Sequence, residues 1–151
     1  ATQSRSSAAS DVDKRQKDLG GGIGLDRNII VLTNNSLVRD EYGKDLDIVF
    51  IDGEYIDVLK SARDMVHKGA KLITHPLMGS VKPNETPFRS IIVAQGDSLD
   101  IESLTVMESS IASAEKFQRD VKVPLWNDRV LNDFRFVDLK LFESAYDSIT
   151  K

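Results

Sequence analysis

The sequence predicts one α/β domain over residues 29–151. Its expected form is a single layered sandwich, with a mainly parallel, Rossmann-like sheet of about four strands flanked by helices. Three observations lead there. Short β-branched runs alternate with stretches of helical period. A chain of 151 residues suits one domain with one core. Residues 1–28 stand apart from the rest, rich in Ser, Ala, Gly and charge and poor in large apolar groups. Such a segment buries too little surface to offset its ordering entropy, so it reads as a flexible N-terminal extension. Gly20–Gly24 precede the first strand, whereas a dinucleotide fingerprint places its glycines after one. They read as a lead-in.

The elements follow in order. "NIIVLTN" (28–34) is a short apolar, β-branched run, the pattern of a buried strand. "NSLVRDEYG" (35–43) fits a short helix ended by Gly43. "DIVFID" (47–52) is a second strand. "EYIDVLKSARDMVHKG" (54–69) is amphipathic, with Tyr55, Val58, Leu59, Ala62, Met65 and Val66 on one face. His67 and Lys68 suit its last turn, and Gly69 suits the position just past its end. "AKLITH" (70–75) and "RSIIVAQ" (89–95) are a third and a fourth strand. The fourth is reached without a crossover helix, so either direction fits it. "LDIESLTVMESSIASAEKFQ" (99–118) is a helix capped by Asp97 or Ser98, with Ile101, Leu104, Met107, Ile111 and Ala114 as its buried stripe. "NDRVLNDFRFVDLKLFESAYDSI" (127–149) closes the chain as a helix. Val130, Phe134, Val137, Leu141, Ala145 and Ile149 form its stripe, widened by Phe136, Leu139 and Phe142. Both closing helices carry long apolar stripes, the last the wider, which predicts a homodimer through one of the two.

Composition removes several functions. A net charge of −4 leaves no electrostatic footprint for nucleic acid. No apolar run approaches the ~20 residues that cross a bilayer. The expectation is a cytoplasmic protein with neither membrane nor nucleic-acid partner. The chain has no cysteine, so thiolate chemistry and disulfides are excluded, and two histidines are too few for a histidine-rich metal site. No cofactor is expected.

The long connection "THPLMGSVKPNETPFRS" (74–90) carries the functional argument. Between Pro76 and Phe88 there is neither helical nor strand period, and loops of this length in compact domains are usually functional. Ligands of open α/β sheets bind outside the carboxyl ends of the strands. "TNNS" (33–36), "DGE" (52–54) and this connection leave from three such ends if the strands are parallel. Asn34, Asn35 and Ser36 precede a short helix whose free N–H groups suit an anion, though they equally suit an N-cap and Asx turn. Gly79 and Ser80 offer close backbone approach and a hydroxyl. Lys82 offers positive charge, and Asn84 and Thr86 a polar cluster between prolines. His75, of a residue type that titrates near neutral pH, is a binding or acid–base candidate and a conceivable partner of Asp52. The expected ligand is a small carboxylate or phosphate held by Asn34, Asn35, Ser36, His75, Gly79, Ser80, Lys82, Asn84 and Thr86. No catalytic residue is singled out.

"TNNSLV" (33–38) and "THPLMGSVKPNETPFRSIIV" (74–93) together resemble the GrdX family, over about residues 29–118. Ser36 stands where that resemblance leads one to expect proline. The resemblance implies an accessory protein of the clostridial glycine, sarcosine and betaine reductase system, partnered by reductase components and lacking an assigned catalytic set. The absence of cysteine suits an accessory better than the selenol and thiol chemistry of that system. Two other readings stand beside it. One is a small enzyme acting on a phosphorylated or carboxylated metabolite; the other is a docking protein acting through the last two helices.

Overall fold

The computed structural model describes residues 28–79, 86–120 and 125–150. In chain order it contains β1 (Ile29–Thr33), α1 (Ser36–Tyr42), β2 (Asp47–Phe50), α2 (Tyr55–His67), β3 (Lys71–Leu72), β4 (Ser90–Ala94), α3 (Ile101–Asp120) and α4 (Asp128–Thr150). Each expected strand and helix is present. The extension expected over residues 1–28 lies outside the described residues, apart from Asn28.

The α/β class holds, but the sheet is mixed rather than mainly parallel, and the Rossmann-like expectation is corrected. Its strand order is β2-β1-β4-β3. Only β1 and β2 pair in parallel. β4 runs antiparallel to both β1 and β3. The cause lies in the connection before β4. A parallel pairing needs a crossover, usually a helix, and the segment between β3 and β4 shows none among its described residues. β4 therefore inserts between β1 and β3 with its sense reversed. The other three strands keep a common direction, so their carboxyl ends and the amino end of β4 share one edge.

β3 is shorter than expected. The amides of Ile73 and Thr74 both donate to the carbonyl of Ile92, at 2.9 and 3.2 Å, and Thr74 Oγ1 accepts from the Ile92 amide at 3.0 Å. A side chain takes the place of a ladder partner, which ends the regular strand while leaving it attached.

Helices cover both faces. Ile30, Leu32, Val49, Ile91 and Val93 pack with Tyr55, Val58, Leu59 and Val66 of α2 and with Met107, Ile111 and Ala114 of α3. Ile29, Val31, Ile48 and Ile92 pack on the other side with Val38 of α1 and with Leu139 and Phe142 of α4. Both faces of β1 are thus buried, which explains its unbroken apolar run. The end of α2 takes the expected glycine: Gly69 has φ +108°, its amide donates to Val66 O, and the Ala70 amide donates to Met65 O, each at 3.0 Å. A Cβ there would also lie 2.6 Å from Gly96 O, so no other residue fits without displacement.

Two helix details differ from expectation. The cap of α3 is Asp100, whose Oδ2 accepts from the Ser103 amide at 3.1 Å; Ile101 is 64% exposed and lies off the buried stripe. In α4 the buried face holds Asp138, Leu139 and Phe142, whereas Val137 is 45% exposed. The rotation brings Asp138 onto the polar end of β4.

Candidate functional site

The carboxyl edge of β1 sends two neighbouring asparagines in different directions. Asn34 follows the strand and is 8% exposed. Its Nδ2 donates to Gly53 O at 3.1 Å and to Pro87 O at 2.8 Å, and its Oδ1 accepts from the Arg89 amide at 3.0 Å. One side chain thus ties the end of β1 to the loop after β2 and to the segment entering β4.

Asn35 is fully buried. Its Oδ1 accepts from the Leu37 amide at 3.0 Å and caps α1, as an Asx turn does. Its Nδ2 donates to Arg135 O at 2.8 Å and to Asp138 Oδ2 at 3.0 Å. Ser90 donates to the same carboxylate oxygen at 2.8 Å and lies 2.7 Å from the Thr33 hydroxyl. The Asn35 amide donates to Thr33 Oγ1 at 3.0 Å. Burial pushes the Asp138 carboxyl above the ordinary aspartate range, opposed by the hydrogen bonds from Asn35 and Ser90 and by the Arg89 charge. Arg89 is 1% exposed, donates to Met78 O at 2.8 Å and stacks on Tyr55 at 5.1 Å. Burial raises the Tyr55 pKa, and Arg89 pulls it back. Among the described residues, Asp138 Oδ1, Arg89 Nε and the Tyr55 hydroxyl have no hydrogen-bond partner.

On the α2/α3 side of this edge a cavity of about 300 Å³ opens. Gly53, Glu54 and Tyr55 form one wall at the start of α2. Thr86, Pro87 and Phe88 form the second, and Gln118 of α3 with Trp126 closes the third. Asn34 stands at its base with both amide functions already engaged. The Glu54 amide donates to Asp57 Oδ2 at 2.8 Å and the Glu54 side chain accepts from the Asp57 backbone N–H, a capping box that starts α2 at the cavity wall. Thr86 Oγ1 accepts from the Phe88 amide at 3.3 Å. Trp126 meets Phe134 edge to face, with centroids 5.3 Å apart. Arg135 stacks on Phe88 at 4.9 Å.

The residues expected to share one site are distributed over several. Asn34 and Thr86 line this cavity. Asn35 and Ser36 belong to the buried cap of α1. Gly79, with φ +84°, rests against Leu141 of α4. Thr86 also borders a smaller, largely apolar cavity of about 160 Å³ with Arg89, Asp138 and Leu141. His75 is exposed and faces Thr105, Ser109 and Ser113 of α3 in a separate cavity of about 280 Å³. Its Nδ1 accepts from the Leu77 amide at 3.0 Å. The His75–Asp52 pair does not form, because β2 and β3 are the two edge strands, roughly 14 Å apart at three strand spacings. Ser80, Lys82 and Asn84 lie outside the described residues. Glu54, Phe88, Gln118 and Trp126 were not singled out from sequence. The only available signal was the position of "DGE" and of a lone tryptophan between two helices. Among the described residues no cluster of three or more His, Asp or Glu could hold a metal.

Fold and site together define a small three-layer α/β protein with an open cavity at the carboxyl edge of a mixed sheet. None of its helices, among the described residues, is long and apolar enough to cross a membrane. The chain belongs to the family described as GrdX-like protein, whose model matches residues 30–147. No curated protein and no solved structure matches it.

Proposed function

We infer that this GrdX-family chain acts as an accessory protein of amino-acid reduction, binding a small polar metabolite at the carboxyl edge of its sheet and working beside reductase components. The family resemblance supplies the link to reduction. The observation that carries the binding reading is the division of labour at that edge. Asn34, Asn35, Thr33, Ser90 and Asp138 are engaged with one another and with backbone, whereas Glu54, Gln118, Thr86 and Trp126 line an open cavity. Small-molecule sites combine such apolar walls with a few convergent polar groups. The test is a series of amide NMR spectra recorded with amino acids and their carboxylate analogues. Shifts gathered on residues 53–55, 86–88, 118 and 126 support the reading, and their absence with every compound removes it.

Docking through α4 is a second reading, favoured by Phe136 and Val137, which are 54% and 45% exposed. A self-complementary contact there would make a homodimer. Light scattering at high micromolar concentration tests it: a monomer rejects the homodimer, and a dimer abolished by Phe136→Glu supports it.

A further inference from the structure

We propose that the cavity beside Trp126 takes an organic ammonium group, so that its ligand carries a small alkylated or primary amine as the recognised end. This rests on the binding reading above and adds the chemistry of the ligand. The lining supplies the argument. Glu54 is the only charged side chain among the described residues that line the cavity. Two potential acceptors stand with it, the Gln118 side-chain carbonyl and Thr86 Oγ1. Tyr55, Phe88 and Trp126 provide aromatic wall. A carboxylate beside aromatic rings is the combination that attracts ammonium cations, through charge and through the ring quadrupole. Two of these rings already serve that purpose inside the protein, since Arg89 stacks on Tyr55 and Arg135 on Phe88. Arg89 does not itself line the cavity and is 1% exposed. The Arg135 guanidinium stacked on Phe88 does not line the cavity either. Asn34 Nδ2, at the base of the cavity, is already bonded to two carbonyls.

The chain has a single tryptophan, Trp126, and it lies in the cavity wall. Its fluorescence therefore reports occupancy directly. The experiment titrates the full chain with methylammonium chloride, tetramethylammonium chloride, tert-butanol and sodium acetate, against sodium chloride at equal ionic strength. Both ammonium salts are expected to change Trp126 emission saturably, with tert-butanol and acetate lacking effect. Glu54→Gln should weaken ammonium binding by about threefold to tenfold, the range for a single partly exposed charge contact. Glu54 is exposed at the start of α2, so this variant retains the fold; an unchanged thermal midpoint checks that. Saturable change with acetate or tert-butanol at least as strong as with the ammonium salts, or an unaltered affinity in Glu54→Gln, overturns the ammonium assignment while leaving a ligand cavity standing. No change with any probe, together with no amide shifts in the metabolite series, overturns both readings.

Discussion

Asn34 and Asn35 are consecutive, chemically identical and both buried, yet they serve two different regions. Asn35 belongs to a buried polar cluster with Thr33, Ser90 and Asp138, between β4 and α4. Asn34 belongs to the floor of an open cavity, where it locks three chain segments and where Glu54, Gln118 and Trp126 form the walls. Where a strand ends, successive side chains still point to opposite faces. The comparison teaches that polar residues at a strand's carboxyl end are not one class. Burial on the α4 side turns them into structural partners. On the α2/α3 side, a gap between helices leaves an open cavity beside them.

The largest break in this comparison should come from Asn34→Ala. It removes three hydrogen bonds and strands two carbonyls and an amide. At about 1 kcal/mol net per bond, the expected loss is roughly 3 kcal/mol in a urea melt, with the cavity disordered as well. Ser90→Ala should cost less, about 1–2 kcal/mol, and leave the cavity intact. Asp138→Asn sharpens the same side by its pH dependence. The Asp138 pKa is raised in the folded state, so its contribution is fully present below the ordinary aspartate range and is lost as the pH rises through the folded value. Wild type should therefore gain on the variant as the pH falls, read from urea midpoints at neutral and mildly acidic pH. A gap that widens in the opposite direction would contradict a buried carboxyl disfavouring charge.

Tyr42 offers the smallest and most local test. Burial, then its hydrogen bond to Glu143 at 3.1 Å and nearby carboxylates, push its pKa up to about 12. The phenol's contribution to the α1–α4 contact should hold below its ordinary value and fade as the pH rises towards 12. Ultraviolet titration should show a late-ionising component near pH 12 disappear in Tyr42→Phe, with little change in stability at neutral pH.

Much of the fold was legible. Continuous β-branched runs marked β1, β2 and β4, and helical spacing with Gly69 past its end marked α2. The direction of β4 was not legible as a commitment, because pairing depends on long-range insertion and the missing crossover permitted either sense. The buried face of α4 is legible only in part: Leu139, Phe142 and Ile149 pack as expected, whereas Phe136 and Val137 are exposed. Apolar spacing favoured Val137, whereas the fold turns Asp138 inwards to reach Ser90 and Asn35, a tertiary hydrogen-bond demand that periodicity does not encode. At the site, sequence located the edge and the loops that build it. It could not show that β2 and β3 lie at opposite margins, which separates His75 from Asp52, nor that residues 118 and 126 return to close the cavity.

The most direct measurement of the central claim is a Trp126 fluorescence titration with tetramethylammonium chloride on wild type, Ser90→Ala and Glu54→Gln side by side. The account predicts that Ser90→Ala binds as wild type does, because the buried cluster only holds the fold, and that Glu54→Gln binds several-fold more weakly, because the open cavity recognises the ligand. Loss of binding in Ser90→Ala with wild-type affinity in Glu54→Gln would contradict it.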